Sequence, residues 1–94
     1  MAEKEIAAKI LRYLKTVPMC FAWKEHGGMY GTAGIPDIIA CVNGRFFALE
    51  VKTPDGKTTK LQDATIHKIL AAGGGAFVVR SVDEVRAVIN GSLQ

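Results

Sequence analysis

A chain of 94 residues, 49% of them hydrophobic and 22% charged, fits one domain spanning 1–94 and leaves little material for a second. Twelve Lys and Arg against nine Asp and Glu give a net charge of +3, which excludes a histone-like basic tail but allows a local basic face. The apolar runs Ile38–Val42 and Phe46–Leu49 fall far short of the ~20 residues of a membrane span.

The opening MAEKEIAAKI carries charge where a signal peptide needs an apolar stretch. Cys20 and Cys41 are too few for a disulfide framework, and they read as reduced core residues of a cytoplasmic protein. With no CxxC and no Cys/His cluster, a structural zinc site is not expected.

In chain order, Ala2 to Lys15 predicts a helix, with Ile6, Ile10, Tyr13 and Leu14 at helical spacing and Pro18 as its stop. Met19–Trp23 predicts a short strand. A glycine-rich loop from His26 to Gly34 follows, holding Gly27, Gly28, Gly31 and Gly34. Asp37–Val42 and Arg45–Lys52 are strands joined by Asn43-Gly44, the strongest short hairpin signal. After a polar turn over 53–59, Lys60–Ala72 is a helix ended by glycines. Ala76–Arg80 is a strand, and Ser81 with Glu84 forms a capping box for a last helix. The order α-β-β-β-α-β-α implies one α/β domain with a mixed sheet.

The polar residues of the middle strands sit where a structural strand would not place them. Phe46, Ala48, Glu50 and Lys52 share one face of their strand, so an acid and an amine lie side by side on a largely buried surface. If Asn43-Gly44 pairs residue 42 with residue 45, the ladder sets Asp37 opposite Glu50. Facing carboxylates repel, and a divalent cation relieves them; an all-oxygen donor set favours Mg²⁺ or Mn²⁺ over zinc. Glu3 falls on the stripe of Ile6, Ile10 and Leu14, so it faces the sheet, whereas Glu5 points away. Gln62 lines up with Ile66 and Ile69 and needs a hydrogen-bond partner there, for which a metal-bound water or a DNA phosphate would serve. Lys60, Asp63 and His67 read as solvated, and His26 and His67 lack a second ligand at useful spacing.

Gly34-Ile35-Pro36-Asp37, then Glu50-Val51-Lys52 thirteen residues after the aspartate, then Gln62 on a helix resembles the PD-(D/E)xK nuclease superfamily. Within it, the pattern from Glu3 to about Val85 is similar to the stand-alone virus-type replication-repair nuclease domain, VRR-NUC. The resemblance implies a restriction-endonuclease-like fold, Mg²⁺- or Mn²⁺-dependent hydrolysis of DNA phosphodiesters and a phage or bacterial setting. It further implies a homodimer acting on branched DNA such as a Holliday junction, with no small-molecule cofactor and no membrane partner. On that pattern Asp37, Glu50 and the Val51 carbonyl hold the cation. Lys52 orients the attacking water or stabilises charge. Glu3 and Gln62 complete the catalytic set. Lys24, Tyr30, Arg45, Lys57 and Lys60 are the candidate contacts to DNA. The rival expectations are a non-catalytic DNA-binding module on the same fold, a monomeric nuclease of flaps or single strands, and a small α/β interaction protein.

Overall fold

Asn43 and Gly44 both take left-handed backbone, φ 52° and 81°, the pair of positive values that a two-residue hairpin turn of type I′ requires. The turn fixes the register Val42↔Arg45 through Ile38↔Leu49, as expected from Asn43-Gly44. The computed structural model describes residues 1–26 and 33–92. Its elements run α1 (Glu3–Leu14), β1 (Cys20–Lys24), β2 (Ile38–Val42), β3 (Arg45–Val51), α2 (Lys60–Ala71), β4 (Gly75–Val79) and α3 (Val82–Ser92). The order matches the sequence pattern. Asp37, expected as the first residue of a strand, lies just ahead of β2 instead.

The four strands form one sheet in the order β1-β2-β3-β4. β1, β2 and β3 are antiparallel, and β4 joins β3 in parallel after the α2 crossover. β3 is therefore central. Its two faces meet different partners. Phe47, Leu49 and Val51 pack with Ile6, Ile10 and Leu14 of α1 and Val85 and Ile89 of α3. On the other face Ala48, Ile39 and Ala76 meet Ile66 and Ile69 of α2. The main core lies on the α1/α3 side, where fully buried residues such as Ile10, Leu14, Leu49 and Val79 each contribute about 1.5–3 kcal/mol. Small residues on the α2 side let that helix ride close to the sheet.

The helix ends follow local chemistry. Thr59 Oγ1 accepts the Gln62 N–H at 3.1 Å, and Gln62 Oε1 accepts the Thr59 N–H at 2.9 Å, a reciprocal cap. Just past α2, Gly73 takes φ 94° and the Gly74 N–H donates to Ile69 O. Ser81 Oγ accepts the Glu84 N–H, but the Glu84 carboxylate reaches the Arg80 N–H rather than that of Ser81. The expected capping box is thus displaced by one residue.

α2 covers β3 and β4 and leaves the same face of β1 and the hairpin half of β2 bare. Cys41 is exposed, against the core position that its apolar run suggested, whereas Cys20 is half-buried and packs against the main core. Phe21 is 71% exposed and Trp23 42%. No helix among the described residues is long and apolar enough to cross a membrane.

Candidate active site

The buried charged residues lie at the C-terminal end of β3, Glu50 within the strand and Lys52 just past it. Glu50 pairs with Val78 and is only 2% exposed, and Lys52 just beyond it is 8% exposed. The Lys52 N–H donates to Val79 O at 3.0 Å, which ties the strand end to β4. One step beyond the Ile38↔Leu49 pair, Asp37 comes opposite Glu50. Its carbonyl accepts the Glu25 N–H at 2.7 Å, and its Oδ2 accepts the Val51 N–H at 2.8 Å. Asp37 is held by main chain on both sides.

Gly34 explains why a glycine precedes this aspartate. Its φ is 82°, and a Cβ there would lie 2.8 Å from Leu61 Cγ and 2.9 Å from Thr65 Oγ1. The approach to Asp37 therefore passes against α2 where only glycine fits. Pro36, fully buried, stiffens the same approach.

The two carboxyls interact. Burial pushes the Glu50 carboxyl up to about 8, helped by a hydrogen bond with Asp37 and by the Asp37 charge; Glu3 adds a smaller upward push and Lys52 opposes it. Side by side in a half-buried site, the two acids disfavour each other's ionisation, which Lys52 only partly offsets. Lys52 Nζ stands 3.9 Å from Glu50 Oε2, and Gln62 Nε2 donates to the same oxygen at 3.3 Å. The partner that Gln62 requires on its apolar stripe is Glu50.

A cavity of about 180 Å³ opens beside Asp37, lined also by Glu3, Lys4, Ala7, Lys24 and Val51. Glu3 and Lys24 thus join the acids, as their positions on α1 and at the end of β1 suggested. Glu5 is occupied elsewhere, accepting the Ala2 N–H at 3.1 Å. Lys60 is exposed at the start of α2, two residues from Gln62, and Lys57 is exposed on the turn after Lys52. Arg45 opens β3 five residues before Glu50, roughly 17 Å away along the strand. It lines a separate groove of about 790 Å³ between the hairpin and the end of α2, which no acidic residue lines. Tyr30 lies outside the described residues. Among the described residues no three His, Cys, Asp or Glu side chains converge as a ready-made metal cage. The site is a two-carboxylate arrangement with adjoining main chain.

Nothing in the sequence singles out Arg80, yet it belongs to this neighbourhood. Its Nη1 donates to Thr53 O at 2.6 Å and Gly56 O at 2.7 Å, holding the turn that follows Lys52.

No protein-family model matches the chain and no curated protein matches it. Solved structures do share its fold. A VRR_NUC domain, 21% identical, superposes with a TM-score of 0.78 and 94% of each chain covered. A VRR_NUC domain protein, also 21% identical, superposes with a TM-score of 0.79 over 96% of this chain and 86% of its own. The chain has the restriction-endonuclease-like fold of those domains over nearly its whole length.

Proposed function

We propose that this protein is a divalent-cation-dependent endodeoxyribonuclease that cuts branched DNA, with four-way junctions preferred, as a homodimer. The observation that carries the reading is the contact between Asp37 and Glu50 beside Lys52 and Gln62. A purely structural strand end has no reason to hold two acids together where one of them is buried.

The residues fit a hard cation. Asp37 and Glu50 offer carboxylate oxygens only, burial and the neighbouring Asp37 hold the Glu50 carboxyl above its ordinary range despite Lys52, and the Val51 N–H donates to Asp37 Oδ2. Asp37, Glu50 and the Val51 carbonyl would hold Mg²⁺ or Mn²⁺. When bound, such an ion supplies Lewis acidity to water and to the scissile phosphate.

The chain's own residues do the rest. Lys52 holds its ammonium beside Glu50, where it would orient the attacking water or offset charge developing on the phosphate. Gln62 holds Glu50 Oε2 by its amide N–H. Glu3, across the cavity from Asp37, adds negative field that favours cation binding. Lys24 in the cavity and the exposed Lys57 and Lys60 supply positive charge for the phosphates flanking the cut. Arg45 and Tyr30 are further candidate DNA contacts, Arg45 for a more distant phosphate.

Assembly has support in β1. It is an edge strand with Phe21 and Trp23 exposed and Met19 exposed just ahead of it, a bare apolar edge of the kind that proteins cover. A C₂ pair would bring two active sites to one two-fold junction.

Cleavage of a panel of linear duplex, single strand, flap and four-way junction DNA, with and without Mn²⁺, tests the proposal. Cation-dependent cuts favouring the junction are expected. Cuts favouring flaps or single strands would point to the monomeric nuclease. Binding without cleavage in any cation would leave only a DNA-binding module.

A further inference from the structure

We infer that Arg80 is a positioning residue for Lys52: its guanidinium, clamped on the turn that follows Lys52, sets where the ammonium stands beside Glu50. This rests on the nuclease reading above.

The clamp is built from both sides. Arg80 directly follows β4, where its N–H donates to Glu84 Oε1 at 2.9 Å. The preceding residue, Val79, accepts the Lys52 N–H at 3.0 Å. From that fixed base the side chain crosses to the turn after β3 and donates through Nη1 to Thr53 O at 2.6 Å and Gly56 O at 2.7 Å. The turn is closed on itself as well. The Gly56 N–H donates to the same Thr53 carbonyl at 3.0 Å, and a Cβ on Gly56 would lie 2.9 Å from Thr53 Oγ1.

The chemistry of the clamp is selective. Among the described residues Arg80 makes no ion pair; its half-buried guanidinium answers main-chain carbonyls. A charged donor on a neutral carbonyl makes a strong hydrogen bond, and the planar guanidinium holds its direction in a way that a lysine ammonium does not. Three residues beyond Gly56, Thr59 caps α2, which carries Gln62 to Glu50. Arg80 thereby fixes the segment that joins both groups touching Glu50 Oε2.

Displacing a reacting group by about 1 Å can cost on the order of 10²-fold in rate. The test compares Arg80→Met and Arg80→Lys with the wild type by four-way-junction cleavage in Mn²⁺ and by amide hydrogen exchange. Arg80→Met is expected to lower kcat by about 10- to 100-fold, with KM and the salt dependence of DNA binding unchanged. Arg80→Lys should recover only part of the loss. Exchange should quicken at Lys52, Thr53 and Gly56 while the central strands keep their protection. Unchanged kcat would overturn the inference. So would a raised KM with a shallower salt slope, which would make Arg80 a phosphate contact, or lost protection throughout the sheet in both variants. If the wild type cleaves no DNA, the nuclease reading falls, and exchange alone decides the clamp: quickening confined to 52–56 upholds it, and unchanged exchange overturns it.

Discussion

The Asp37 carboxyl stands beside Glu50 where the β2–β3 ladder runs out, and with burial it holds the Glu50 carboxyl above its ordinary value. Burial is the larger cause, and it drives Glu50 up to about 8 from an ordinary 4.5. In the cation-free protein the folded state therefore binds a proton between those values that the unfolded chain has released. The stability that this proton gives is complete below about 4.5 and is lost as pH rises through about 8. In EDTA the melting temperature should fall from about pH 6 to about pH 8.5, and Glu50→Gln should flatten that slope. Mn²⁺ competes with the proton, so it should stabilise the protein more at the higher pH. A wild-type slope identical to that of Glu50→Gln would contradict the coupling.

Lys52 offers a rate effect separable from metal binding. Its Nζ is 3.9 Å from Glu50 Oε2, close enough to feel the site without belonging to the oxygen donor set. Lys52→Ala should slow cleavage by roughly 10²-fold or more, as expected for removing one charge-stabilising group. Calorimetric Mn²⁺ affinity should change little. Lost metal binding with no separate loss of rate would assign Lys52 to the cation site instead.

Gly34 tests how the approach to Asp37 is held. Gly34→Ala puts a methyl group against Leu61 and Thr65 at a left-handed position, which by itself costs about 1–2 kcal/mol. Urea unfolding should show a loss of about 2 kcal/mol with an unchanged m-value. An unchanged midpoint would mean that this segment repacks freely.

Self-association can be read directly. Light scattering at micromolar concentration should give the mass of a dimer for the wild type. Trp23→Glu, on the bare face of β1, should give a folded monomer with a weaker preference for the junction. A monomeric wild type would remove the dimer from the proposal while leaving the chemistry of one site intact.

Much of this arrangement is legible in the residues. Asn43-Gly44 permits one turn type, the turn dictates the pairing, and the pairing brings Asp37 to Glu50 before any tertiary contact is considered. Gln62 on an apolar stripe announces a buried polar partner in the same way. What the sequence hides depends on the third dimension. Strand alternation gives Phe21, Trp23 and Cys41 a common face but cannot tell that α2 stops short of it, so Cys41 reads as core and is exposed. Arg45 is as basic as Lys24, yet the strand length between it and Glu50 puts it at the far end of β3. Arg80 follows a strand with no pattern around it, and its role comes from main-chain carbonyls 24 and 27 residues away.

The most direct test of the central claim is Mn²⁺-dependent cleavage of a four-way junction by Asp37→Ala and Glu50→Ala beside the wild type, each checked by circular dichroism for an intact fold. The wild type should cut only with the cation, and neither variant should cut measurably, because each lacks one of the two carboxylates that hold it. Cleavage by either folded variant at near wild-type rate would show that the Asp37–Glu50 pair is not the catalytic cation site.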